Sequence, residues 1–267
     1  MRNLLITTAI ATSFAGVAFA DTENTGYAGP TLGGEVELNF AETAAGDWAG
    51  SMGVDLDINA AGLASVDLGL EATEGSDVAL DTWTVGTAVA GIGLSFGNDN
   101  DVFVGADGEQ TLAAPAMTES VKIEVGAAAV AVGFTDWNAD ITDISNIQGS
   151  YTLGNVAGLG LDITAAGDYN MDSENIVVGG EVEMEATAGV SVGSALTYDV
   201  DAEAIGYEIM ADAFGIEAYV NGDNDEMLQN IGGEYTYAIG GAELTAGAAY
   251  NLDSEELTPS VGVSFSF

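Results

Sequence analysis

The residues with chemistry to offer are carboxylates, and they recur at every second position. Glu35 and Glu37 flank Val36, and Asp55 and Asp57 flank Leu56. Asp67, Glu71, Glu124 and Asp162 sit in similar alternating stretches, with Lys122 two positions before Glu124. A further group, Asp99, Asp101, Asp107 and Glu109, crowds between Gly97 and Thr118. Carboxylates without basic partners attract cations and raise their local concentration. Together with amide oxygens they are also the ligands calcium prefers, which makes Asp99, Asp101, Asp223 and Asp225 candidates for a calcium ion. None of these clusters has the spacing of an EF-hand loop, so a polar turn is the competing reading.

The same composition excludes other chemistry. The chain has no His and no Cys, and sets 43 acidic residues against two basic ones for a formal charge of −41. Metal sites built on thiolate or imidazole cannot form. The usual pairing of nucleophile and base cannot be assembled, so no catalytic residue is expected and no cofactor is required. Carboxylate pairs could support glycoside cleavage, but the two-residue spacing accounts for them without it. A chain this acidic cannot neutralise phosphates, which rules out a nucleic-acid partner.

The elements that must hold these carboxylates begin after an expected leader. Arg2, an apolar stretch from Leu4 to Phe14 and the sequence Ala18-Phe19-Ala20 have the three parts of a secretory signal peptide, so 1–20 is read as leader and 21–267 as one domain. Lys122 is then the sole cation of the expected mature chain. With 48% hydrophobic residues and a mean hydropathy of +0.25, the chain is too apolar for an acidic disordered tail. No stretch after residue 20 has the length and apolarity of a membrane-spanning helix. Glycine is abundant at 37 and proline scarce at 3, which suits strands joined by tight turns.

Period-two alternation is the main signal. Val36, Leu38 and Phe40 share a face opposite Glu35, Glu37 and Asn39, and the final segment sets Val261, Val263, Phe265 and Phe267 against Ser260, Gly262, Ser264 and Ser266. Counting such segments predicts about sixteen strands, with fourteen the alternative should the weak segments near residues 85, 94 and 216 merge. Short connections are expected at 90–91, 126–128, 186–188 and 240–241, and longer polar ones at 135–145, 167–175, 221–229 and 251–256. The longest, Gly97 to Thr118, falls after the fifth strand as the third long loop.

Alternation also fits a soluble β-sandwich, which would have to cover its outside with carboxylates as salt-adapted proteins do. A transmembrane antiparallel barrel instead turns the apolar face to lipid and the acidic face to water, and closure leaves no open edge. The leader, about sixteen alternating segments, the long loop after the fifth and Ser264-Phe265-Ser266-Phe267 at the end together resemble the Gram-negative porin family, particularly alphaproteobacterial general diffusion porins. The resemblance is one of architecture and spans the whole mature chain.

It implies a trimer of outer-membrane barrels seated among lipid and lipopolysaccharide, each with its third loop folded into the lumen. Asp99, Asp101, Asp107 and Glu109 would then form the constriction. Glu35, Glu37, Asp55, Asp57, Asp67, Glu71, Lys122, Glu124 and Asp162 would line the wall, and Phe265 and Phe267 would serve as the signal to the outer-membrane assembly machinery. The implied activity is passive diffusion of small hydrophilic solutes with a preference for cations, against the alternative of a plugged or adhesive barrel. The family usually places arginines across from the acidic loop, and this chain has none after residue 2. Trp48, Trp83, Trp137 and the tyrosines at 151, 198, 207, 235, 237 and 250 read as a girdle at the lipid boundary.

Overall fold

The computed structural model describes residues 31–42, 48–60, 64–73, 77–98, 100–103, 119–135, 143–224 and 228–266. The expected leader and Phe267 lie outside this set. Sixteen strands form: β1 (Thr31–Glu42), β2 (Trp48–Asn59), β3 (Ser65–Thr73), β4 (Ala79–Val89), β5 (Ile92–Gly97), β6 (Ser120–Val125), β7 (Ala128–Phe134), β8 (Ile144–Leu153), β9 (Leu161–Asn170), β10 (Ile176–Thr187), β11 (Val190–Asp199), β12 (Ala204–Ala213), β13 (Ile216–Asp223), β14 (Asn230–Ile239), β15 (Ala242–Asn251) and β16 (Glu256–Ser266). Each pairs antiparallel with its neighbour in sequence, and β1 pairs with β16 to close the barrel. The weak segments near 85, 94 and 216 are separate strands, so the count is sixteen rather than fourteen.

Register assigns every residue to one of two faces. Val36 stands across from Val54 and Phe265, and Leu38 across from Met52 and Val263. Val36 and Val54 are buried, but large side chains around the rest of this face, such as Leu94, Ile123, Val182, Ile209 and Tyr237, are exposed. The opposite face carries buried polar groups including Asn146, Gln148, Asp168 and Asn221. A sheet that exposes its hydrocarbon and encloses its amides and carboxylates is built for lipid outside and water inside. A sandwich would do the reverse, with the apolar faces packed on one another.

Several expected connections are corrected. The turn expected at 186–188 moves to Ala188 and Gly189, because β10 continues to Thr187 through a bulge between Glu185 and Thr187. The long connections expected at 167–175 and 221–229 begin later, since Gly167, Asp168, Asn221 and Gly222 are paired strand residues. The polar run after β9 is a tight turn. Asn170 Oδ1 accepts from the backbone N–H groups of Asp172 and Ser173 at 3.0 and 2.9 Å. Asn251 does the same for Asp253 and Ser254, and Asp199 for Asp201 and Ala202. These Asx turns let a polar side chain close the outer end of a hairpin.

Many glycines also lie within strands rather than in turns. On the inner face they stand across from bulky side chains: Gly232 from Tyr219, Gly193 from Met210, and Gly262 from Asn39. A methyl group at Gly232 would overlap the ring of Tyr219, so the ring lies along the wall only because nothing projects beneath it. Small partners of this kind keep large side chains flat and the lumen open.

The two-face assignment has a direct test. Val182→Arg puts a charge on the outer face in mid-strand and is expected to destabilise the barrel by about 2–4 kcal/mol in denaturant titrations in lipid vesicles. Glu183→Arg, one residue further, faces Asp162 across the ladder and is expected to be neutral or mildly stabilising.

Candidate functional site

The inner wall is where the fold gathers chemistry, and the chain enters it from the β5/β6 hairpin. These two strands have six residues each, the shortest of the barrel. At their end Gly97 presses against the β4 backbone, where a side chain would collide with the carbonyl of Trp83 and the Cα of Thr84. Asn100 follows, fully buried. Its amide nitrogen donates to the carbonyls of Gly97 and Ser120 at 3.4 and 3.2 Å, and its oxygen accepts from Ser95 Oγ at 2.6 Å. Val102 is buried against Ala131, with Ala129 beside it. Gln148 Oε1 accepts from the N–H groups of Val102 and Phe103 at 3.0 and 3.2 Å. Ala131 lies between Lys122 and Gln148 in the register, all on the inner face, so residues 100–103 run along the inside of the wall.

The expected wall residues all share that inner face. Glu35 stands across from Asp55, Asp57 across from Asp67, and Glu71 across from Gly53. Lys122 and Glu124 follow on β6, and Asp162 stands across from Glu183. Lys122 Nζ lies 3.5 Å from Glu124 Oε1, so among the described residues the one lysine is occupied by a neighbour on its own strand. Of the expected constriction, Asp101 is exposed beside the anchored segment, while Asp99, Asp107 and Glu109 lie outside the described residues. Of the calcium candidates, Asp223 ends β13 on the inner face and Asp225 lies outside the described residues. Among the described residues no three carboxylates converge as a metal site. Phe265 is on the outer face between Val36 and Ala242. The expected girdle tyrosines face outward, whereas Tyr219, not among them, faces inward.

Two features escaped the sequence reading. The first is where the acids meet. Glu35↔Asp55, Asp57↔Asp67, Asp162↔Glu183, Asp212↔Glu217 and Glu217↔Glu234 are direct cross-strand pairs of like charge. All lie in the half of the barrel nearer the short turns. The second is a buried polar group nearer the loop end, made of Asn146, Gln148, Asp168, Thr197 and Asn221. Polar residues at alternating positions were the available signal for it, but Asp168 and Asn221 fall in stretches expected to be loops.

Two recesses lie beside the acid pairs. A recess of about 410 Å³ lies against β13 to β16, with Glu217, Tyr219, Asn230, Glu234 and Glu256 on its lining. A smaller one of about 190 Å³ lies by Asp55, Asp57, Asp67 and Thr84.

No family model and no curated protein matches the chain in sequence. In fold it is similar to solved outer-membrane proteins. OmpF of Salmonella typhi, solved in complex with daunomycin, has a TM-score of 0.57 at 11% identity, covering 89% of this chain and 97% of that one. OmpT of Vibrio cholerae in its trimer form gives 0.53 at 13%, covering 90% and 100%. The outer membrane channel DcaP of Acinetobacter baumannii gives 0.53 at 9%, covering 89% and 97%. The chain therefore has the fold of the sixteen-stranded outer-membrane barrels.

Like charges directly across a ladder destabilise it by tenths of a kcal/mol, and salt screens them. Glu217, flanked by Asp212 and Glu234, is the most crowded. Glu217→Gln is expected to raise the temperature at which the barrel loses its compact gel mobility at low ionic strength. That gain should vanish in concentrated salt.

Proposed function

We propose that the protein is an outer-membrane porin, a water-filled channel through which small hydrophilic solutes and ions diffuse passively, with cations favoured. The observation that carries this reading is the pair of faces: hydrocarbon exposed outward, carboxylates enclosed and wet inward. The likeness to porin and channel folds supports it. On this reading the chain is exported, loses residues 1–20, is recognised by the assembly machinery through Phe265 and Phe267, and settles among lipid and lipopolysaccharide as a homotrimer. The trimer form of the Vibrio cholerae protein supports that last point.

The cation preference follows from the single sign of the charge that dominates the inner wall. Lys122 sits beside Glu124, so no basic wall opposes the acids. Carboxylates stand in facing pairs toward the short turns, and a low-dielectric cleft lined with one sign of charge concentrates counter-ions. Monovalent and divalent cations from the medium, calcium included, would occupy this half of the lumen as a diffuse layer. Asp101 lies at the start of the third loop, where a carboxylate meets solutes passing the anchored segment. The absence of His and Cys supports a channel over a hydrolase.

Planar bilayers test the proposal. Purified protein is expected to give stepwise conductance in groups of three, and under a salt gradient a zero-current potential with the sign for cation permeation. The double variant Asp57→Asn/Asp67→Asn should shrink that potential, most strongly at low salt. A silent bilayer would point to a plugged barrel, and a potential of opposite sign would overturn the selectivity.

A further inference from the structure

Gln148 holds the start of the third loop to the wall through its oxygen, and that orientation needs a cause. A side-chain amide has nearly the same shape either way round. Turned over, Gln148 would set an NH₂ group against the N–H groups of Val102 and Phe103 and lose both hydrogen bonds. The wall behind it supplies the bias. Asp168 stands directly across from Gln148 on β9, and the two are 2% and 1% exposed. Asp168 is itself fixed. Ser145 Oγ donates to Asn146 Oδ1 at 3.0 Å, which leaves Asn146 Nδ2 to donate to Asp168 Oδ1 at 3.0 Å. The remaining carboxylate oxygen, Oδ2, and Gln148 Nε2 have no other close partner. Neither atom makes a hydrogen bond, and the ladder sets the two side chains next to each other on the inner face.

We infer that Asp168, held by Asn146, is the positioning residue of the third loop: its buried carboxylate faces the donor end of the Gln148 amide and so turns the acceptor end to the loop backbone. Donation converges on Asp168 from both sides: from the Ser145 hydroxyl through Asn146, and from the N–H groups of residues 102 and 103 through Gln148. It gives a use for the Asp168 carboxylate, which with Glu208 is buried on a wall where most others are solvated. A buried charge is costly unless it is used, and here its use is to polarise and orient a neighbour. The inference deepens the porin reading, because residues 100–103 lie along the inside of the wall and on that reading narrow the path beside them. The experiment reads loop position rather than conduction, so the two can fail separately.

The chain has no cysteine, so a single Val102→Cys reports on the loop without interference. The rate at which a small water-soluble methanethiosulfonate modifies that thiol is measured in the folded full-length barrel, with heat-modifiable gel mobility confirming the fold of each variant. Phe103→Cys serves as a second reporter should Cys at 102 disturb the packing. Gln148→Leu is expected to speed modification roughly tenfold or more, as befits the loss of two buried hydrogen bonds. Asp168→Asn should speed it severalfold although Gln148 is intact. The decisive pair is Gln148→Glu, alone and with Asp168→Asn. Glutamate at 148 can accept from both loop N–H groups but repels Asp168, so the single variant should loosen the loop and the double variant should restore slow labelling. A residue that merely packs would give no such rescue. Unchanged labelling in Asp168→Asn, or a double variant as fast as Gln148→Glu, would overturn the inference.

Discussion

Backbone polarity in hydrocarbon is the constraint on which this structure rests. A peptide group facing lipid finds no water, so every strand must have a neighbour on both sides and the last must return to the first. The pairing of β1 with β16 meets that demand. Closure then fixes the rest of the pattern. Each strand has one wet face and one greasy face, side chains alternate except at three bulges, and within the strands a chain with so many acids and almost no bases puts most of its acids on the inner face.

That inner face has to contend with its own charge. Acids stand across from acids in the half near the short turns, where the lumen is open enough for ions to screen them. Nearer the loops, where side chains are buried, the wall is mostly amides and hydroxyls, Asn146, Gln148, Thr197 and Asn221, with the carboxylates of Asp168 and Glu208 among them. The division follows from desolvation, since a buried amide needs only hydrogen bonds whereas a buried carboxylate needs a partner for its charge as well. Glycine serves the same economy of space. Tyr219 and Met210 can lie against the wall because Gly232 and Gly193 stand across from them.

The strand pattern was legible because lipid enforces it. Val36, Leu38 and Phe40 against Glu35, Glu37 and Asn39 could be read correctly from the alternation of types alone, and so could the facing of every wall carboxylate. Strand ends were harder. Gly167, Asp168, Asn221 and Gly222 look like loop by composition, yet they continue their strands, because a polar residue on a wet inner face is no signal to stop. Periodicity also says nothing about which strands lie side by side at what offset, so the acid pairs could not be foreseen. Gln148 and Asp168 are distant in sequence and become partners only through the β8/β9 register.

The placement of residues 100–103 makes the lumen one-sided. They lie against β7 and β8, and the wall they touch is neutral and buried, while the recess opposite, along β13 to β16, is lined by Glu217, Glu234 and the ring of Tyr219. On the proposed porin reading, a solute passing residues 100–103 would be directed toward carboxylates rather than between an acidic and a basic wall. In such a pore the charge contrast runs from neutral amide on one side to solvated acid on the other, with no arginine to complete a transverse field. Selection would then depend on the sign and hydration of the solute more than on its dipole. On the same reading a cation would gain along the acidic side, and an uncharged dipole would find only half of the field that would orient it.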